Sequence, residues 1–267
     1  KRTIKPEIIH DRADTASEAL AISISERANV DMAYMSELTG KSEEELYRDL
    51  TGVIFLNPLY GTGGKDDRKY LMADEYLSGN VREKLATARK SAELYPDDYK
   101  VNVEALEKVQ PTDLTAPEIG VRLGATWIPT EDIQKFIFEL LETPFYYKYR
   151  IQTKYEPITG QWQITDKTYD RVNVKATSVY GTSRINAYNI IEDSLNLKDV
   201  RIFDYVEDAS GTKHPVLNKK ETAIAQGKQE EIRRAFEEWI WKDPARRERL
   251  VRLYNDKFNS TRPREYD

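Results

Sequence analysis

The sequence predicts an α+β protein, mainly helical: an N-terminal winged-helix-like domain with a β-hairpin, a mixed helix and antiparallel-sheet domain, and C-terminal helices. Three observations carry that prediction. Up to Leu50, apolar residues fall at one-face helical spacing, punctuated by Gly40 and Ser42. "GVIFLNP" and "FYYKYRIQTKYEPITGQWQITD" are β-rich runs ended by turn residues. "NKKETAIAQGKQEEIRRAFEEWIW" repeats apolar residues at helical period until Asp243-Pro244. A length of 267 residues suits two domains, expected at 1–110 and 111–267.

In chain order, "TASEALAISISERA" reads as a helix with Ala16, Leu20, Ile22 and Ile24 apolar, and "VDMAYMSEL" as a second with Met32, Met35 and Leu38 on one face. Gly40 can end that helix at positive φ, and Ser42 with Glu45 three residues on is a capping box that opens a third. Two short helices around a Gly-containing turn are a helix-turn-helix pattern. "GVIFLNP", the turn-rich "LYGTGGKDD" and "RKYLMADEYL" then read as two strands and their loop, which gives the layout of a winged helix. Its third helix is acidic, with Glu43, Glu44, Glu45 and Asp49 outnumbering Lys41 and Arg48. Such a helix repels a duplex, so a structural or protein-binding role is expected of it.

A long helix is expected from "ADEYLSGN" through "VREKLATARKSAEL", burying Val81, Leu85, Ala88, Ala92 and Leu94. Helices "NVEALEKV" and "TAPEIGVRL" follow, then "TEDIQKFIFELL" with Thr130 as its cap and Ile133, Phe136, Ile137 and Leu140 facing the core. "FYYKYRIQTKYEPITGQWQITD" is the clearest hairpin, turning at "PITG", and its Tyr and Trp stripe reads first as sheet packing. "VKATSVYGTSRINAYNIIEDSLNL" reads as a strand end followed by a helix capped at Thr182 and Ser183. After a short strand "VRIFDYV", the long helix carries Ile224, Ile232, Ala235, Phe236, Trp239 and Ile240 as its apolar stripe. Asp243-Pro244 breaks it and starts the last helix.

Charged residues make up 33% and apolar residues 39%, with 17 Tyr, a globular composition with no run long enough to span a bilayer. "KRTIKPEIIHDRAD" lacks the apolar core of a signal peptide, so no membrane partner and a cytoplasmic location are expected. Without Cys there is neither disulfide nor thiol chemistry, and His10 and His214 lie too far apart in sequence to suggest a metal site. No cofactor is expected. The net charge of −5 is unevenly spread: residues 213–267 carry 14 Lys+Arg against 10 Asp+Glu, the rest 27 against 36. Affinity for a polyanion is therefore expected toward the C-terminus.

Two partial motifs point to enzymes and fall short. Asn57-Pro58-Leu59-Tyr60 resembles the Asn-Pro-Pro-Tyr of adenine-specific DNA methylases but has Leu59 at its second Pro and no Gly-rich cofactor strand nearby. "GTGGK" resembles the end of a phosphate-binding loop, but Leu59 stands where its first Gly belongs and Asp66 follows the Lys. No catalytic residue is assigned. The candidate binding residues are Thr182, Ser183 and Arg184, where free amides of a helix start and an Arg suit a phosphate, and Arg246, Arg247, Arg249 and Arg252, which crowd the last helix and suit a nucleic-acid backbone.

The run from "YGTSRINAYNIIEDSLNL" to "PREYD", with "LTGKSEEEL", "ADEYLSGNVREKL" and "VRLGATWIP", is similar to the central region of very large phage and conjugative-element proteins, in which an adenine-specific DNA methylase domain precedes it and a Snf-type helicase domain follows. The resemblance covers nearly the whole chain. It implies a fragment of a mobile-element DNA-modifying, antirestriction-type protein whose partners are the flanking methylase and helicase domains and DNA. The family's catalytic motifs have no counterpart here. The expected function is thus a non-catalytic accessory or spacer module with weak, nonspecific DNA contact. An autonomous adenine methyltransferase and a protein-interaction scaffold remain the alternatives.

Overall fold

The computed structural model describes residues 12–64 and 66–265. The chain divides into two compact units, Lys1–Asp113 with Asn255–Asp267, and Leu114–Tyr254. His10 and the Lys65 of "GTGGK" lie outside the described residues.

The first unit opens with three helices, α1 (Ala16–Arg27), α2 (Met32–Thr39) and α3 (Glu43–Asp49). Thr15, Asp31 and Ser42 cap them, each side chain accepting a first-turn amide hydrogen bond. Gly40 ends α2 at φ 72°, and the capping box of Ser42 and Glu45 forms as the sequence predicts. Strands β1 (Ile54–Leu56) and β2 (Tyr70–Met72) pair antiparallel, with Phe55 opposite Leu71. Alternation assigns their side chains to two cores. Ile54 and Tyr70 pack with Leu20, Met35, Leu46 and Leu50 of the helical trio, while Phe55 and Leu71 pack on the other side. Burial on both faces explains why "IFL" is apolar without interruption.

That second core is built by α4 (Ala73–Tyr76), α5 (Val81–Leu94) and α6 (Pro96–Lys108), which contribute Tyr76, Val81, Leu85, Ala88 and Leu106. The expected long second strand is cut short because α4 starts at Ala73, and the long helix starts only at Val81, capped by Asn80. Leu94, expected on the buried side, is exposed at the end of α5. The fully buried Asn102 donates to the Leu56 carbonyl at 2.8 Å and the Tyr76 hydroxyl at 3.0 Å, tying α6 to β1 and α4. Between α4 and α5 lies β3 (Gly79–Asn80), whose partner comes from the far end of the chain.

The second unit begins with a single 3₁₀ turn, Ala116–Glu118, where the sequence predicts a helix; Ile119 is already extended. Helix α7 (Thr130–Leu140) buries Ile133, Phe136 and Ile137 as expected, but Thr130 is its first helical residue and no side chain caps it. Strands β4 (Gln152–Glu156) and β5 (Gln161–Thr165) form the expected hairpin. Helix side chains satisfy its edges: Gln134 of α7 accepts from the Thr153 amide at 2.8 Å, and Glu192 and Asn196 accept from those of Ile164 and Trp162 at 2.6 and 2.9 Å. These last two residues, four apart, come from α8 (Ala187–Leu195) and its C-cap.

The segment before α8 departs from expectation. Residues Lys175–Val179 form a π-helical turn where a strand end is expected, and α8 is capped by Asn186, four residues after Thr182. Strand β6 (Phe203–Glu207) pairs with an unexpected β7 (Lys213–Leu217) in an exposed hairpin, missed because Pro215 argues against a strand and is tolerated at its edge. Helix α9 (Lys219–Ile240) buries Thr222, Ala225, Gln229, Ile232, Phe236 and Ile240; Ile224, expected in that stripe, is exposed. Polar Thr222 and Gln229 replace it because they bond the extended chain beside them, accepting from the amides of Ile202 and Val200 at 2.9 and 3.2 Å. Helix α10 (Pro244–Phe258) starts at Asp243-Pro244, with Asp243 accepting the Arg246 amide at 2.7 Å. Past it, β8 (Thr261–Arg262) pairs antiparallel with β3 in the first unit.

Candidate functional site

The residues that carry the methylase-like motif are a loop clasp. Asn57 is almost completely buried; its backbone amide donates to the Lys69 carbonyl at 2.8 Å, and its Nδ2 to the Arg68 carbonyl at 2.9 Å. Its Oδ1 accepts from the Leu59 amide at 3.0 Å. Every polar group of the side chain is thus spent closing the β1–β2 loop. Gly61 donates to Asp67 at 2.8 Å, and Arg68 bridges Asp66 and Glu75. Asn57 and Pro58 do border a cavity of about 300 Å³ with Tyr76, Asn80 and Lys84, but no glycine lines it. Lys84 donates to the carbonyls of Glu75, Tyr76 and Ser78, and burial lowers its pKa.

Helix α3 sits where a winged helix carries its reading helix, yet three of its four carboxylates, those of Glu43, Glu45 and Asp49, are used internally. Glu43 accepts from Lys69 and from the Tyr70 hydroxyl at 2.5 and 2.9 Å, joining α3 to β2, and the Lys69 bond holds its pKa below the ordinary carboxylate range. Glu45 closes the capping box, and Asp49 takes Lys41 at 2.6 Å. The negative charge of α3 therefore fixes the wing and the helix turn.

Thr182, Ser183 and Arg184 border one broad depression with Arg171, Asn186, Glu221, Ile224 and Lys228. They do not cap α8. Thr182 Oγ1 accepts from the amides of Arg184 and Ile185 at 3.1 and 3.2 Å, which makes a tight turn ahead of the helix. Arg184 donates to Asp204 and to the Phe203 carbonyl at 2.8 and 2.9 Å, so it holds the β6–β7 hairpin. Gly181 makes the turn possible: a Cβ there would run into the Ala176 carbonyl. Gly181→Ala is expected to cost about 1–3 kcal/mol by forcing backbone apart, read as a lower denaturation midpoint; an unchanged midpoint would mean the loop has room to move. Sequence reasoning missed Arg171 and Lys228. Lys228 was within reach, because Glu221, Ile224 and Lys228 share a face of α9 at i, i+3 and i+7.

The four C-terminal arginines separate into two roles. Arg246 is buried, its guanidinium stacked 3.5 Å from the Trp239 ring centroid and donating to the carbonyls of Trp239 and Ile240 at the end of α9. Burial lowers its pKa from the ordinary value. Arg247, Arg249 and Arg252 border an open groove with Thr115, Ala116 and Glu248. Arg249 also holds the nearly buried Asp132 at 2.7 Å. One helix thus carries Arg246 in a buried position and its other three arginines along the groove. Among the described residues, no group of His, Asp or Glu could hold a metal ion, and no helix is long and apolar enough to cross a membrane.

Fold and site together define an α+β protein, mainly helical, with an N-terminal winged-helix domain. Residues 12–66 match the family model described as "Probable helicase, winged helix domain", which makes this a helicase-associated winged-helix region. Residues 122–260, more than half of the chain, match "Domain of unknown function (DUF8437)", and the chain belongs to that family. It matches no curated protein and no solved structure.

Proposed function

We propose that this chain is a non-catalytic accessory module of a larger cytoplasmic DNA-processing protein of a mobile element, placed between methylase and helicase domains and touching DNA weakly and without sequence preference. The observation that carries this reading is a winged-helix domain whose α3 spends three of its four acids on its own wing and turn, through Glu43–Lys69, Glu45–Ser42 and Asp49–Lys41. A helix so charged suits a protein neighbour better than a duplex. The Asn57 side chain is engaged in its own loop, so it does not offer the free acceptor a methylase directs at a target amino group. The DNA-facing groups are the groove arginines of α10, and Arg246 is withdrawn from them.

Calorimetric titration with S-adenosylmethionine tests the non-catalytic reading. No saturable heat is expected, while Asn57→Ala should loosen the wing and lower the midpoint of the first unit. Tight cofactor binding abolished by Asn57→Ala would instead establish the methyltransferase alternative. A complete absence of DNA binding at low salt would favour the pure protein scaffold.

A further inference from the structure

The Tyr and Trp stripe that the sequence places on the β4–β5 hairpin divides in two. Trp162 is buried and Tyr155 leans against it at 5.0 Å, so the hairpin rings are core. The rings that flank the hairpin go the other way: before it Phe145 is 74% exposed, Tyr146 56% and Tyr149 83%, and after it Tyr169 is 43% exposed. Phe145 and Tyr146 meet at 5.4 Å, Tyr146 and Tyr147 at 4.5 Å, Tyr147 and Tyr169 at 6.1 Å, and Arg150 lies 5.0 Å over the Tyr169 ring. A chain of turns holds them in place, with Tyr147 donating to Pro144, Lys148 to Phe145 and Arg150 to Tyr147.

From these facts we infer that the exposed ring row Phe145, Tyr146, Tyr149 and Tyr169, with Lys148, Arg150 and Arg171 beside it, is a binding surface for single-stranded nucleic acid. Phe145, Tyr146 and Tyr169 join through Tyr147 into one run of rings, with the exposed Tyr149 in the same turn segment, and so much exposed aromatic surface marks an interaction site because its solvation is unfavourable. Its charge selects the occupant. From Thr143 to Lys154 the chain carries Lys148, Arg150 and Lys154 and no acidic residue, in a protein of net charge −5. Cations interleaved with rings are complementary to a polyanion whose bases offer free faces. A duplex hides those faces in its own stack, whereas a single strand presents them. Arg171, two residues past Tyr169, also borders the depression lined by Ser178 and Ser183, which adds a cation and two hydroxyls for the backbone. The inference deepens the DNA-contact part of the proposed function and rests on it only for taking DNA as the source of the strand.

Fluorescence anisotropy of the full chain with a labelled oligothymidylate of about 15 nucleotides, at low salt, tests this. Wild type is expected to bind the oligomer better than a duplex of equal length. The pair Phe145→Ala and Tyr149→Ala should weaken binding roughly tenfold per ring, with the denaturation midpoint unchanged because both rings are exposed. Arg171→Ala should flatten the salt slope by about 0.7. Equal binding of an oligouridylate supports the inference, since rings and phosphates are shared. No binding of the single strand, a duplex that competes as well, or full affinity in the ring variants would overturn it. Single-strand binding that survives the ring changes but falls with Arg247→Glu overturns this inference alone and leaves the accessory reading standing.

Discussion

Phe236→Ala is expected to destabilise the second unit by about 3–5 kcal/mol, the largest effect of any single truncation proposed here. Phe236 is fully buried and sits edge-on to Phe136 at 5.0 Å and alongside Trp239 at 6.5 Å, with Phe136 and Trp239 themselves 5.5 Å apart. The three rings join α7 to α9, and each pair adds about 0.5–1.5 kcal/mol beyond the apolar area it buries. Trp239→Ala should cost less, because that ring is only partly buried and its Nε1 donates to Glu139, 2.6 Å away. Urea denaturation followed by tryptophan fluorescence reads both variants. A midpoint for Phe236→Ala within error of the parent would show that the triad is not the joint between these helices.

Arg246→Ala is expected to cost about 2–4 kcal/mol, although sequence reading places Arg246 among phosphate-tracking residues. Its guanidinium satisfies two carbonyls at the C-terminus of α9, where the helix dipole favours a cation, and its plane covers Trp239. Alanine leaves those carbonyls without their donor and uncovers the ring. Arg246→Lys should restore only part of the loss, because an ammonium cannot stack and fork at once. Arg247→Ala, one residue along and exposed, should change stability by less than about 0.5 kcal/mol. Comparable losses at both positions would contradict the division of roles on α10.

The winged-helix domain was legible because its cues are local: Gly40 at positive φ, Ser42 with Glu45, and an apolar strand run each fix their neighbours without help from distant residues. The Asn57 clasp was legible as a turn, though not its bonds to Arg68 and Lys69 across the loop. The second unit was harder to read where side chains replace secondary structure. Thr222 and Gln229 are polar and buried because they serve an extended segment some twenty to thirty residues earlier, a pairing no periodicity reveals. Thr182 was misread as a cap because a turn anchor and an N-cap use the same residue types; Asn186, equally suited, takes the position. The arginines were visible as a cluster, but only the start of α10 at Pro244 sets which of them turns inward.

The central claim is that α3 is a packing helix and that duplex contact, where it occurs, lies on α10. The salt dependence of duplex binding by the whole chain measures this most directly. The prediction is a nonspecific dissociation constant of about 10⁻⁴–10⁻⁶ M and a log–log slope no steeper than about −3, since each phosphate contact contributes about 0.9. Arg247→Glu should flatten that slope by about one unit, and Arg48→Glu on α3 should leave it unchanged. Tight or sequence-selective binding, or binding lost through Arg48→Glu while Arg247→Glu is silent, would place the DNA on the winged helix and contradict the claim.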